Sequence, residues 1–442
     1  GEDPEVRGFF HASAFNSFGI SLSGGIGYQM AKWLTTGAPE IDLSAYDIKR
    51  FNRHLVHNRV WSQERCREAY ARNYGIIYQC DEPLTARNET FSDALYEVLK
   101  SNGCVYRERH GIQCPDWFDL TPQRLTTEEY IDLDNTYDWS EDSRQWMAVK
   151  HECESSHERA IVVNLSSMAK YLVRGENAMK VIDSLSPTDV KSMPNNSTIL
   201  TYLLNKRGGI IAEIIVTKVN DSEFYITCAE VSTNHVFVNL WSHQKIKIND
   251  IEMRLIRFTQ LSHTGWQMHV NNNQDLKVIY AKLIDNKLVS NAGHRAYESL
   301  RNESQWLSGC LDMRSDDTLS DVGLESHICG QKRETKPFID FERNRSSDEK
   351  KHFVLLEPLS RKPIVCGLEP IWFQSQAIGF VRKNFYSHKS GQMLAFGLIY
   401  DKYLKDSMAI PSMVDIEIFG NLYKAKVDKI YCKQNTTTMN LI

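Results

Sequence analysis

The sequence predicts a multidomain α+β protein that ends in an antiparallel β-barrel. Three observations carry that reading. The chain has 442 residues, more than one ordinary core accommodates, so two to four domains are expected. Its middle part holds both helical spacing and β-branched strand runs. Beyond Lys351, the segments HFVLLEPL, EPIWFQSQAIGFVRK, MLAFGLIYDKYL and VDIEIFGNLYKAKVDKIY alternate apolar and polar residues between turn signals, the pattern of a small barrel.

Composition excludes several function classes. Hydrophobic residues make up 42% and charged residues 24% of the chain, an ordinary globular balance. With 52 Lys and Arg against 56 Asp and Glu the net charge is -4, which gives no global attraction to nucleic acid or an anionic membrane. No apolar run reaches the roughly 18 to 20 residues of a membrane span. The 10 cysteines form no C-x-x-C pair, so zinc is not indicated and reduced thiols in an intracellular compartment are expected. The chain opens on Gly1, which fits either a removed leader or a start inside a longer protein.

In chain order, residues 8 to 34 read as a glycine-studded loop running into an amphipathic helix that starts near Gly25. Its amides and positive dipole end would face an anion or an electron-rich ring, or the glycines form a tight turn only. Ala94 to Asn102 has helical spacing, with Leu95, Val98 and Leu99 on one face and Gly103 as the stop. The run Arg107-Glu108-Arg109-His110 is a solvated or structural charge group, or a contact between domains. Residues 119 to 150 read as a loop or extended connector, and His151 to Arg159 as a helix. A strand and then a helix follow in AIVVNLSSMAKYLVRGENAMKVIDSL, and again in Glu223 to Trp241. Asn291 to Ser304 fits a helix with Ala292, Ala296 and Leu300 toward a core, and Arg343 to Lys351 a polar linker.

The most informative stretch is Leu203 to Lys218, LLNKRGGIIAEIIVTK, a hairpin around Arg207-Gly208-Gly209. Glu213 is its odd residue. A carboxylate in a β-branched strand is solvated, paired or put to use, and the open alternatives are the solvent face of an edge strand or a functional site.

The hairpin is similar to the N-x-x-G-G-[IV]-x-x-[DE]-[LI]-x-V segment of folate-dependent aminomethyltransferases. More widely, GEDPEVRGFF with FNSFGISLSGGIG, YDIKRF (46 to 51), YARNYGIIYQCDEPLTARN (70 to 88) and GCVYRERHGIQCPDWF (103 to 118) resemble the sarcosine and dimethylglycine dehydrogenase family, leaning toward its sarcosine branch. The resemblance runs from Gly1 to about Tyr431. It implies a remnant of a flavin-dependent oxidoreductase domain (1–60), a connector of that domain (61–118), an aminomethyltransferase-like folate-binding domain (119–345) and a C-terminal barrel (346–442) with its own core, unfolding separately.

The implied activity is FAD-dependent oxidation of sarcosine, with the one-carbon unit captured by tetrahydrofolate, an electron-acceptor flavoprotein as partner and the mitochondrial matrix as the site. Glu213 is then the catalytic carboxylate, Arg301 and His263 the folate contacts, and Asn16, Gly19, Gly24, Gly25 and Gly27 the flavin contacts. Departures from the family pattern are specific. The strand-GxGxxG-helix unit for the ADP half of FAD is missing, so one wall of a flavin site is expected and no stoichiometric flavin. A unit with a G-P-x-A turn is missing after Trp241. Asn164 replaces an Asp of D-[ML]-S-x-x-G-K-[FY], while Ser166 and Lys170 remain. In LSHTGWQ, His263 and Gln267 replace glutamates, which weakens the expected folate affinity. Arg301 and Glu303 are otherwise helix-surface charges. The competing class is a non-catalytic binding protein resembling the regulatory subunit of pyruvate dehydrogenase phosphatase.

Overall fold

A computed structural model describes residues 1–50, 57–75, 92–109, 112–120, 143–228, 245–248, 251–258, 265–309, 311–335, 350–360, 365–404 and 410–431. In chain order the helices are α1 (Gly19–Thr36), α2 (Arg59–Ala71), α3 (Tyr96–Ser101), α4 (Arg144–Glu158), α5 (Ala178–Leu185), α6 (Asn273–Ile284), α7 (His294–Glu303) and α8 (Gly330–Thr335). The strands of the first part are β1 (Cys104–Arg109), β2 (Ile112–Phe118), β3 (Ala160–Val163), β4 (Ala169–Arg174), β5 (Ser197–Leu204), β6 (Ile210–Asn220) and β7 (Glu223–Cys228). Next come β8 (Lys245–Ile248), β9 (Ile251–Phe258), β10 (Gly265–Val270) and β11 (Val289–Ala292). The last six are β12 (Lys351–Pro358), β13 (Pro370–Phe373), β14 (Gln376–Ser387), β15 (Gln392–Tyr400), β16 (Met413–Ile418) and β17 (Asn421–Ile430). Two compact units emerge. The first comprises Gly1–Ser17, Tyr46–Leu172 and Thr227–Trp306, the second Phe18–Ala45, Val173–Ile226 and Leu307–Ile442.

The first unit contains the antiparallel pair β1-β2, the parallel pair β3-β11 and the sheet β8-β9-β10. Val105 and Trp117 share one core with Ala148, Val149 and Cys153 of α4 and with Ala292, Ala296 and Leu300. Ala296 and Leu300 reach it from one face of α7, as the sequence predicts, whereas the helix expected from Asn291 begins at His294 and Ala292 is the last residue of β11. Leu95, at the N-cap of α3, and Leu99 within it are buried, whereas Val98, expected on the same face, is exposed; Gly103 (φ 84) follows the helix end. The helix expected from His151 begins at Arg144, where Ser143 accepts the amide of Trp146 at 3.1 Å and caps it. Where a single strand was expected ahead of the helix in AIVVNLSSMAKYLVRGENAMKVIDSL there are two, β3 and β4.

The charge run on β1 is structural. The β1-β2 register shifts between Val105 and Tyr106, so Asp116 is the extra residue of a bulge. It is buried, with Arg295 at 2.5 Å and Arg109 and Arg107 at 3.7 and 3.9 Å. Burial works against its charge, but the three guanidiniums outweigh it and hold the carboxyl below its usual range. Glu108 pairs instead with Arg65 at 2.6 Å; His110 lies outside the described residues.

The second unit holds β5, β6 and most of β7, strands of a sheet ordered β4-β7-β6-β5, and a closed barrel β12-β15-β14-β13-β16-β17. The barrel is the antiparallel one that the alternating segments predict. Its interior is lined by Val354, Leu356, Ile371, Ile378, Val381, Ala395, Ile399, Val414, Ile416 and Ala425. A second core corrects the expectation of a barrel with an independent core. Phe353, Leu355, Phe385, Phe396 and Leu398 of the barrel cluster with Tyr202 and Ile210 of the hairpin and with Leu307, Met313 and Leu319. The expected linker ends in structure as well, because Lys351 opens β12 and is buried; residues 343–349 lie outside the described residues, as do those following Cys228 on which a helix was expected.

Candidate functional site

The hairpin forms as read, with β5 and β6 antiparallel and Tyr202 opposite Glu213. β-Branched residues on both faces make β6 a buried strand: from Ala212 to Val219 every residue is buried. β6 is interior to its sheet, and Glu213 is only 8% exposed. The solvent-face, edge-strand alternative is therefore wrong. The Gly309 amide donates to Glu213 Oε2 at 3.2 Å. A Cβ on Gly309 would stand 2.6 Å from the Cβ of Glu213, so only glycine lets this backbone reach the carboxylate. Burial, and then the charge of Glu213, push the Tyr202 phenol well above its usual range.

The turn is built by Asn205, which matches the Asn of the N-x-x-G-G segment. Asn205 Oδ1 accepts the amides of Arg207 at 2.8 Å and Gly209 at 3.0 Å, and its Nδ2 donates to Ser315 O at 2.8 Å. The Ile210 amide donates to Asp317 O at 2.9 Å. At Gly209 a Cβ would lie 2.0 Å from Ser315 O, which explains the second glycine of the motif. The partner segment is itself fixed by charge. Asp317 is fully buried and accepts Arg382 Nη2 at 2.7 and 2.9 Å and Lys351 Nζ at 3.1 Å. Burial would lower the Lys351 pKa, yet Asp317, Asp316 and Asp321 together raise it.

Arg301 lies in the first unit, at the end of α7, and is 1% exposed. It is not a surface charge: its Nη1 donates to Trp306 O at 2.6 Å, and the Trp306 amide returns to Arg301 O at 3.1 Å. Glu303 is half-buried. His263 lies outside the described residues. Gln267 sits on β10 with Oε1 3.3 Å from His269 Nε2. Burial, Lys170 and Arg254 bring the pKa of His269 down to about 3, so the ring is neutral. Asn164 has a local reason to be an amide. Its Nδ2 donates to Asp93 Oδ2 at 2.6 Å while its Oδ1 accepts the Ser166 amide at 3.1 Å; an Asp there would set two carboxylates together. Lys170 donates to the carbonyls of Leu165 and Ser166.

The glycines of the N-terminal stretch are arranged differently from the expectation. α1 starts at Gly19, not near Gly25, and ends at Gly37 (φ 85). Gly24, Gly25 and Gly27 are therefore interior helical positions, exposed, with nothing within 4 Å of an added Cβ. Their amides close i to i−4 bonds and no helix end points from them. Asn16 is exposed in the first unit, its carbonyl accepting Asn73 Nδ2 at 3.0 Å, whereas these glycines belong to the second. Among the described residues no His, Cys, Asp and Glu group is placed to hold a metal, and no helix is long and apolar enough to cross a membrane.

Three family descriptions match the chain: the GCVT N-terminal domain at 95–246, the FAD dependent oxidoreductase central domain at 36–92, and the glycine cleavage T-protein C-terminal barrel domain at 351–430. The glycine cleavage system aminomethyltransferase T of Bartonella henselae has the same fold, with a TM-score of 0.59 at 18% identity over 77% of this chain and 98% of that one. The class is thus an aminomethyltransferase-type fold with its C-terminal barrel. Mitochondrial sarcosine dehydrogenase of Mus musculus is 27% identical over 98% of this chain and 55% of its own length. That of Homo sapiens is 28% identical over 91% and 52%. The chain is similar to sarcosine and dimethylglycine dehydrogenases over nearly its whole length, and it spans about half the length of the curated relatives it matches.

Proposed function

We propose that this chain performs the folate half of a one-carbon demethylation, with Glu213 as the carboxylate that acts on the folate amine. The observation that carries the reading is a buried carboxylate on an interior strand, held by the backbone amide of a glycine that admits no side chain. Burying a carboxylate costs several kcal/mol, and an apolar residue at 213 would sit beside Tyr202 and Ile215 on the same face of the sheet without that cost. In a site shielded from water a carboxylate binds a donor N–H strongly. Tetrahydrofolate, when bound, supplies the nucleophilic amine that takes up the one-carbon unit. Glu213 would orient that amine and accept its proton, and Gly309 would orient Glu213.

In the complete reading sarcosine is the substrate, FAD the oxidant, another flavoprotein the electron acceptor, and the mitochondrial matrix the compartment. The FAD contacts suggested by the glycines do not fit a helix-end donor set, since Gly24, Gly25 and Gly27 are interior to α1. The domain limits 1–60, 61–118, 119–345 and 346–442 belong to the same proposal. Calorimetric titration with tetrahydrofolate, together with the rate of formaldehyde capture above the uncatalysed rate, tests it. Glu213→Gln is expected to abolish the catalysed rate while binding stays within about threefold, because uniform binding and transition-state contacts separate in this way. Absence of binding by the parent chain would hand the protein to the non-catalytic class.

A further inference from the structure

The turn that carries Gly309 is clamped by its own Asp312, which pairs with Lys383 of the barrel. Asp312 is 1% exposed; its Oδ2 accepts the Ser308 amide at 2.9 Å and its Oδ1 accepts Lys383 Nζ at 3.1 Å. Ser308 O in turn accepts the amides of Asp312 at 3.1 Å and Met313 at 3.2 Å. These bonds close the loop around Gly309, whose amide is the donor to Glu213.

Lys383 is aimed there by an irregularity of the barrel. The β14-β15 register shifts between Val381 and Lys383, so Arg382 is an extra residue. Consecutive strand residues ordinarily point to opposite faces, but a bulge re-aims them. Arg382 and Lys383 accordingly both reach one short segment, at Asp317 and Asp312. The Asp312 side chain is fully buried while that of Lys383 is 19% exposed, and an ion pair with one partner desolvated is a poor device for stability alone, since the desolvation offsets much of the attraction.

We infer that Asp312 and Lys383 are positioning residues for Glu213, with the barrel bulge setting the turn whose Gly309 amide aligns the carboxylate. The inference rests on the reading of Glu213 given under Proposed function. It makes the barrel part of the catalytic apparatus, although Lys383 touches no reacting atom.

The test uses the full chain with Lys383→Met, Asp312→Asn, Lys383→Arg and Glu213→Gln. Hydrogen exchange of the 307–313 segment needs no ligand or activity. It is expected to quicken about tenfold in Lys383→Met and Asp312→Asn, because local opening becomes easier. In formaldehyde capture both variants should lose about tenfold in kcat with KM for tetrahydrofolate within about twofold. Lys383→Arg should restore both exchange and kcat. Unchanged exchange, a loss confined to KM, or failure of the arginine to restore kcat overturns the inference. If Lys383→Met fails to fold, Asp312→Asn, nearly identical in shape, decides the question. Parental kcat in Glu213→Gln, or a parent without catalysed capture, overturns the reading of Glu213 and this inference with it. Unchanged exchange beside an inactive Glu213→Gln overturns the positioning alone.

Discussion

At the scale of single residues, what can be read from a sequence is a residue's chemical oddity, not its environment. Glu213 stands out among isoleucines, but the donor to its carboxylate comes from Gly309, 96 residues later. No local pattern encodes that contact. Glu152 shows the same limit more fully, since nothing in HECESSHE marks it as special. In the fold it is 2% exposed and accepts the amides of Phe118 at 2.6 Å and Gly293 at 2.8 Å. Burial drives its pKa from 4.5 up to about 8, against the pull of the Gly293 and Phe118 amides and with a small push from Asp116. Because the folded value lies above the unfolded one, the folded state holds its proton more tightly. Its contribution to stability is complete below about pH 4.5 and is lost as the pH rises through 8. Glu152→Gln does not titrate. The melting temperature of the parent relative to Glu152→Gln should therefore fall steadily between those limits, and a pH-independent difference would contradict this account.

At the scale of elements, the hairpin, the buried face of α7 and the barrel strands were legible, because each rests on a period that packing then uses. The start of α1 was not. Gly24, Gly25 and Gly27 have low intrinsic helix preference, which argues for a loop, yet the helix runs through all three from Gly19. Propensity is a weak prior, and the flanking Leu22, Tyr28, Met30, Ala31 and Trp33 continue the helix on both sides of the glycines. Since these glycines are helical and nothing lies within 4 Å of an added Cβ, alanine there should act mainly by restricting the unfolded chain. Each of Gly24→Ala, Gly25→Ala and Gly27→Ala is expected to stabilise by roughly 0.4 to 1 kcal/mol. Chemical denaturation measures this. Destabilisation by all three would mean that the segment is looped, as the glycines alone suggest, and would revive it as a close-approach surface.

At the scale of the whole molecule, the sequence pointed to a separate barrel because strands alternating apolar and polar residues need only one buried face. The first barrel strand does not alternate. Phe353, Val354, Leu355 and Leu356 are consecutive and all buried, the mark of a strand covered on both sides. Val354 and Leu356 line the barrel interior, while Phe353 and Leu355 join Tyr202 and Ile210 of the hairpin. The same division appears on β15, where Ala395 and Ile399 face inward and Phe396 and Leu398 join the second core. Phe396 is completely buried, and its ring stands 5.6 Å from Phe353 and 5.1 Å from Phe385. Truncating such a residue costs about 3 to 5 kcal/mol. If hairpin and barrel are one cooperative body, Phe396→Ala should raise amide exchange in β5 and β6 together with the barrel strands, since a shared core cannot be lost on one side only. Were the barrel alone to lose protection while Leu200 to Val216 kept theirs, the two would be separate folding units after all, and a barrel residue such as Lys383 could act on Glu213 only through the bonds of the Asp312 turn.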